Sequence, residues 1–260
     1  SVYISSIAKQ LKELGVKHIF ARRFLDYDSM IIREQDMQEA NSVLDLLYDQ
    51  RSKEICKSII QKRINKEMDY SDLAKEVSQQ YFDDEIVSCQ INESFVDAGA
   101  FDGATSVEFA KWAKKGYEKI VIYEPMKENI VNVEHTVRNL KNVEIHNKAL
   151  WNKKELLQFS FDGAGSSIDE NGMTVEAEPL DPDSKVTFVK MDIGGAEMNA
   201  LEGMKSIIME QKPKLAICIY HLYDVLWNIP KYIHELVPEY KLYMRHYSKI
   251  NEETVIYAIL

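Results

Sequence analysis

Apolar positions along this 260-residue chain follow two different rhythms. Over the first ninety residues they recur at helical spacing: Ile7, Leu11 and Leu14, then Ala40, Val43, Leu44 and Leu47, then Ile55, Ile59 and Ile60. This stretch has one glycine, Gly15, and no proline, so it predicts three or four helices, with one short strand at Lys17 to Phe20. From Ser94 the rhythm changes to short apolar runs separated by helical stretches. Strands are predicted at Phe95–Ala98, Lys119–Tyr123, Val143–His146, Val186–Met191, Lys214–Tyr220, Tyr240–Tyr247 and Thr254–Ile259. A helix starts at Thr105, where Thr105, Ser106, Val107 and Glu108 fit a capping box. Others run from Pro125 to about Asn139, from Ala196 to Glu210, and from Leu222 to Leu236 with a break at Pro230.

Strands alternating with helices imply an α/β fold with a mostly parallel sheet and helices on both faces. The gap from Ser248 to Glu253 fits a hairpin and is too short for a parallel crossover, so the last strand pairs antiparallel. Two parts follow: a mostly helical region over residues 1–90, and an α/β domain over 91–260. Between the third and fourth strands, Leu156–Phe161 and Thr174–Glu178 alternate like strands around a Gly163–Ser167 loop. A β-rich insert there would cover one side of the ligand site, which in such sheets lies beyond the carboxyl ends of the strands.

Composition narrows the partners. The net charge is −10 and no basic cluster occurs, which argues against nucleic acid. The longest apolar runs, such as Leu215–Tyr220, are far short of the ~20 residues a membrane span needs. No signal peptide is visible, though Ser1 in place of a starting Met leaves an upstream segment open. Cys56, Cys89 and Cys218 are widely spaced and form neither a metal pair nor a disulfide framework, so a reducing, cytoplasmic setting is expected.

Candidate chemistry gathers at strand ends. The loop Asp97-Ala98-Gly99-Ala100-Phe101-Asp102-Gly103 has two glycines, not the three that cradle a pyrophosphate. Its acids, Asp97 and Asp102, are unfavourable beside a diphosphate and suit S-adenosylmethionine, which carries an ammonium and a sulfonium. Its carboxylate could use the free amides where the Thr105 helix starts. The plain alternative is a tight strand-to-helix turn. Glu124 ends the second strand before Pro125 and could accept hydrogen bonds from a ribose; otherwise it is an exposed acid. Asn147, Ala149 and Leu150 follow the third strand, where they hold an adenine or simply pack a loop.

These segments together resemble the FkbM-type methyltransferases, a family of the class I methyltransferase (Rossmann-like) fold. The resemblance rests on Phe95–Gly103 (FVDAGAFDG), Tyr123–Asn129 (YEPMKEN), Asn147–Trp151 (NKALW), Val189–Glu197 (VKMDIGGAE) and Ile217–His221 (ICIYH). The ending, Tyr240–Ser248 (YKLYMRHYS) and Glu253–Ala258 (ETVIYA), is also similar, and the match spans roughly Tyr81 to Leu260. It implies a seven-stranded sheet, S-adenosylmethionine as cofactor, and O-methylation of a hydroxyl on a sugar, glycan or natural-product-like small molecule. One position departs: where the family pattern has Glu after Met-Asp-Ile, this chain has Gly194.

Methyl transfer needs the acceptor oxygen about 3–3.5 Å from the methyl carbon and in line with the sulfur. His221 closes the fifth strand and is the expected base, with a structural histidine as the alternative. His246, in a closing strand, reads as structural. Asp192 could orient His221, touch substrate or ligate a divalent metal, while Glu197 suits a helix start. No metal is expected, because the spacing of Asp192, Glu197 and His221 is not diagnostic. Two other functions compete: a catalytically impaired cofactor-binding module, suggested by Gly194, and a nicotinamide-dependent sugar oxidoreductase, opposed by the two-glycine acidic loop. The N-terminal helices are expected to dimerise the chain or to cap the acceptor site.

Overall fold

The computed structural model describes residues 31–162, 165–168 and 173–260. The expected helix around Ile7, Leu11 and Leu14, the strand at Lys17 to Phe20 and residue Gly163 of the insert lie outside the described residues. Within them, helices α1 (Met37–Ser42) and α2 (Gln50–Asn65) come first. The α/β part then runs β1 (Glu93–Ala98), α3 (Ala104–Trp112), β2 (Tyr117–Tyr123), α4 (Lys127–Val137) and β3 (Val143–His146). A second group of strands follows: β4 (Ala149–Leu150), β5 (Glu155–Asp162), β6 (Gly165–Ile168) and β7 (Met173–Glu178). The chain closes with β8 (Phe188–Met191), α5 (Glu197–Gly203), α6 (Lys205–Gln211), β9 (Lys214–Cys218), α7 (Val225–Leu236), β10 (Lys241–His246) and β11 (Thr254–Ile259).

Seven strands form one sheet in the order β10-β11-β9-β8-β1-β2-β3. β9, β8, β1, β2 and β3 are mutually parallel, whereas β11 runs antiparallel to both its neighbours. The hairpin expected between the last two strands is therefore present. Every residue of β1 is buried, because the pleat sends alternate side chains to opposite cores. Val96 and Ala98 join Leu215, Ile217 and the side chains of α5 to α7, while Phe95 joins Phe109, Phe188 and Tyr257 on the other face. The predicted Ile55, Ile59 and Ile60 of α2 pack into the first of these cores with Leu242 and Met244. Ser52 accepts the Met244 N–H at 2.8 Å, and Arg245 reaches Asp49 at 2.7 Å, so α2 is fixed to β10 by polar bonds as well.

Four expectations change. Gly165 to Ser167 were expected within a loop, but Gly165–Ile168 pairs with β5 as a strand, completing a four-stranded sheet of order β4-β7-β5-β6. The helix expected over Ala196–Glu210 is two helices, because Gly203 lies against the Trp151 backbone. A Cβ at Gly203 would stand 2.1 Å from the Trp151 carbonyl oxygen, and the chain re-enters helix only after Met204. α7 runs through Pro230 without a break. A mid-helix proline costs about 3 kcal/mol, but fully burying Leu226, Ile229 and Ile233 on one face offsets it. Finally, the capping box is absent: Gly103 is the N-cap of α3 at φ +81°, Asp102 accepts the Ala104 N–H at 2.9 Å, and Ser106 turns inward to Asp97.

Candidate functional site

The ends of β1, β2 and β8, with β4, enclose a cleft at the carboxyl edge of the sheet. Its wall includes Gly99, Phe101, Glu124, Pro125, Ala149, Leu150, Asp192 and His221. All eight were expected at the site. Asp97, Ala100, Asp102, Gly103 and Asn147 do not line it, and each has a partner or a place that explains it.

Asp97 is fully buried, 3.0 Å from the Lys190 ammonium, and accepts the Ser106 hydroxyl at 2.7 Å. Its charge is thus neutralised within the sheet, which corrects the reading of Asp97 as an acid facing a cationic ligand. Lys190 also donates to the carbonyls of Gly99 (2.6 Å) and Ala98 (3.2 Å), so it holds the glycine loop by its backbone. Asp102 is exposed and serves as a cap for α3. The amides of Phe101, Gly103 and Ala104 are already bonded to Glu124, Ala100 and Asp102, so the expected free amides are not found at those three positions. Asn147 donates to the carbonyls of Glu124 and Pro125, both at 3.0 Å, and positions that turn rather than facing the cleft. Ala100 is buried, and Gly103 packs against Val133 and Val137.

Gly99 is required by close approach. At φ +78° its missing Cβ would fall 1.9 Å from the Asp192 carbonyl oxygen, so only glycine lets the ends of β1 and β8 meet. Phe101 is also left-handed, at φ +54°, and its N–H is held by Glu124 Oε2 at 2.9 Å. Glu124 Oε1 takes Met126 N–H at 2.9 Å and Asn129 Nδ2 at 3.2 Å. Burial raises the Glu124 carboxyl above its ordinary value, against the pull of these donors. A carboxylate offers about four acceptor positions, so Glu124 retains capacity for a ligand hydroxyl.

Asp192 and His221 form the polar end of the cleft. His221 Nε2 lies 3.3 Å from Asp192 Oδ1, and Nδ1 lies 2.9 Å from Glu197 Oε1. Burial alone would lower the imidazole, but Glu197 first and then Asp192 push it up to about 9. Asp192 accepts the hydroxyls of Tyr81 and Tyr220, each at 3.1 Å. Burial would raise its carboxyl, yet the charges of His221 and Lys190 hold it below its ordinary value. Nearby, burial followed by repulsion from Asp192 pushes Glu253 up to about 7.

Donor atoms of Asp192, Glu197 and His221 lie within 4.8 Å of one another, as do those of Asp192, Cys218 and Glu253. In the first set each ring nitrogen faces a different carboxylate, which is ion-pair geometry; one imidazole cannot turn both nitrogens to one ion. In the second, burial drives the Cys218 thiol well above its ordinary value, away from the thiolate a metal needs.

Tyr123, Asn129, Ile193 and Ala196 also line the cleft, and sequence reasoning missed them. All four adjoin or follow a strand end within a few residues, a signal that was available. Tyr81 gave no such signal, since its role depends on a contact 111 positions away. Gly194, expected near the reaction centre, does line the cleft.

No family model and no curated protein matches the chain. Among solved structures it is similar to the methyltransferase FkbM from Methylobacillus flagellatus KT, with a TM-score of 0.76 and 22% identity. That match covers 86% of this chain but only 59% of the other. Looser likenesses include a SAM-dependent methyltransferase from Aquifex aeolicus (TM-score 0.43, 16% identity, 72% of this chain and 95% of that one). Another is the fibrillarin pre-rRNA processing protein of Methanococcus jannaschii (TM-score 0.41, 12% identity, 81% and 75%). The likeness at a TM-score of 0.76 establishes the architecture: the chain has the class I methyltransferase fold.

Proposed function

We propose that the chain is an FkbM-type, S-adenosylmethionine-dependent O-methyltransferase acting on a hydroxyl of a sugar, glycan or natural-product-like small molecule. The observation that carries this reading is the cleft itself. It joins an acid at the end of β2, a glycine that brings β1 against β8, and the Asp192–His221 pair. Glu124 suits ribose hydroxyls, and Ala149 and Leu150 offer an apolar wall for an adenine. Asp192 supplies negative charge toward a sulfonium. When bound, the cofactor supplies the electrophilic methyl. The chain's own part is to orient the acceptor hydroxyl and take its proton. At neutral pH His221 is protonated and paired, so it acts as a base only as pH approaches about 9 or once its proton is displaced.

Calorimetry with S-adenosylmethionine, S-adenosylhomocysteine and NAD tests the cofactor. Micromolar binding of the first two is expected, and NAD binding without them would overturn the reading. Release of S-adenosylhomocysteine across a panel of hydroxylated acceptors then tests turnover. A cofactor-binding module with impaired catalysis is the second reading, favoured by Gly194 on the cleft wall. Turnover by the unaltered chain eliminates it, whereas turnover only after Gly194→Glu supports it. No helix among the described residues is long and apolar enough to cross a membrane. A cytoplasmic setting suits the three free thiols. Residues 1–90 are assigned to capping or dimerisation, which sedimentation at several concentrations tests.

A further inference from the structure

We propose that Glu197 is the positioning residue of His221, fixing which ring nitrogen faces the cleft. The inference rests on the use of His221 in the reading above. Glu197 opens α5, where an acid commonly serves the helix dipole from water. This one is fully buried, which a role toward the dipole does not require. A buried carboxylate without a counter-charge is strongly destabilising, so its retention calls for a specific partner. Its Oε1 meets His221 Nδ1 at 2.9 Å and also accepts the Ile193 N–H at 3.0 Å. Among the described residues neither Glu197 Oε2 nor His221 Nδ1 has an aligned hydrogen-bond partner, so the two side chains are held as an ion pair, and the imidazole is the charge that faces Glu197.

The second contact gives the pairing its direction. Ile193 follows Asp192, so one carboxylate oxygen ties the Asp192–Gly195 turn to the imidazole. With Nδ1 engaged by Glu197, the ring presents Nε2 toward Asp192 Oδ1 at the longer distance of 3.3 Å. Asp192 is also occupied by Tyr81 and Tyr220. The proton that leaves first is therefore the one on Nε2, and the neutral ring keeps its proton on Nδ1 beside Glu197. Nε2 then holds the free lone pair that receives the proton of an acceptor hydroxyl. The O–CH3 bond forms as the S–CH3 bond breaks, and the sulfonium leaves as a thioether. The other groups facing the ring are Glu253 before β11 and the Tyr220 ring, whose centroid is 4.1 Å away; Lys190 acts on Asp192 from beneath.

Imidazole NMR on the full chain tests this without an acceptor, with His221 assigned by the signal lost in His221→Asn. The unaltered protein should titrate near pH 9 and, above that, show the Nδ1–H tautomer. Glu197→Gln should lower the midpoint by at least one pH unit, a tenfold loss of proton affinity, and erase the tautomer preference. Glu197→Asp should recover part of both. An Nε2–H tautomer in the unaltered protein, or an unshifted midpoint in a folded Glu197→Gln variant, would overturn the proposal. The tautomer measurement needs no variant, so it decides even if Glu197→Gln fails to fold. Loss of S-adenosylmethionine binding by the unaltered chain would instead overturn the cofactor reading while leaving the NMR result standing.

Discussion

Two histidines near the same edge of the sheet end in opposite charge states. His221 follows β9 at the cleft, and His246 ends β10 in the closing hairpin. Both are largely removed from water. His221 is placed between two carboxylates and is driven up to about 9. His246 is completely buried, with Nδ1 2.8 Å from the neutral Thr254 hydroxyl and the Tyr70 ring 5.2 Å away. Burial, with the nearby Arg63 charge, drives it down to about 4. Desolvation lowers both, so the difference in sign comes from the carboxylates, which overcome it at His221 and are not in contact with His246. Carboxylates make one imidazole a candidate for chemistry; a hydroxyl and an aromatic ring make the other part of the core.

The largest break in that contrast comes from removing the cation beneath the cleft. Lys190→Met strands Asp97 in the interior and withdraws a charge that favours ionised Asp192. A loss of about 3–5 kcal/mol is expected in urea unfolding. Adding Asp97→Asn should recover much of it, and a smaller loss from the double variant than from the single one is the decisive outcome.

A next effect is on stability against pH. The folded value of His221 lies above the ordinary 6.5, so its contribution is full below 6.5 and lost as pH rises through about 9. The folded value of His246 lies below 6.5, so the unfolded chain gains a proton first and stability falls from 6.5 toward 4. Each limb amounts to on the order of 3 kcal/mol. Denaturant melts from pH 4 to 10 should show His221→Asn flattening only the alkaline limb, and His246→Asn only the acid one.

Binding separates the two regions further. Glu124→Ala should weaken S-adenosylmethionine by about 2 kcal/mol, some thirtyfold in calorimetry, as expected for a lost bond to a charged group. His246→Asn should leave that affinity unchanged. Thr254→Val, which removes only the hydroxyl beside His246, should cost about 1 kcal/mol of stability and nothing in binding.

Much of this fold was legible locally. Val143–His146 and Thr254–Ile259 are strands at the predicted bounds, because apolar runs between turn residues leave few alternatives. Eight predicted residues line the cleft for the same reason: strand ends announce themselves, and ligands bind beyond them. Long-range pairing was not legible. Nothing near Asp97 indicates that Lys190 neutralises it, and nothing near Glu197 indicates that it faces His221. Pro230 taught the converse, since a local rule predicted a break that buried apolar contacts overrode.

By itself, then, the sequence determined which segments build the seven-stranded sheet, which loops end them, and that Gly99, Glu124, Asp192 and His221 belong to one edge. These follow from periodicity and chain order, which act over a few residues. Only the tertiary structure decided the charges. It neutralised Asp97 with Lys190, protonated His221 between Asp192 and Glu197, and kept His246 neutral. Ionisation in a buried site depends on which groups meet across the sheet, and chain order carries no record of those distances.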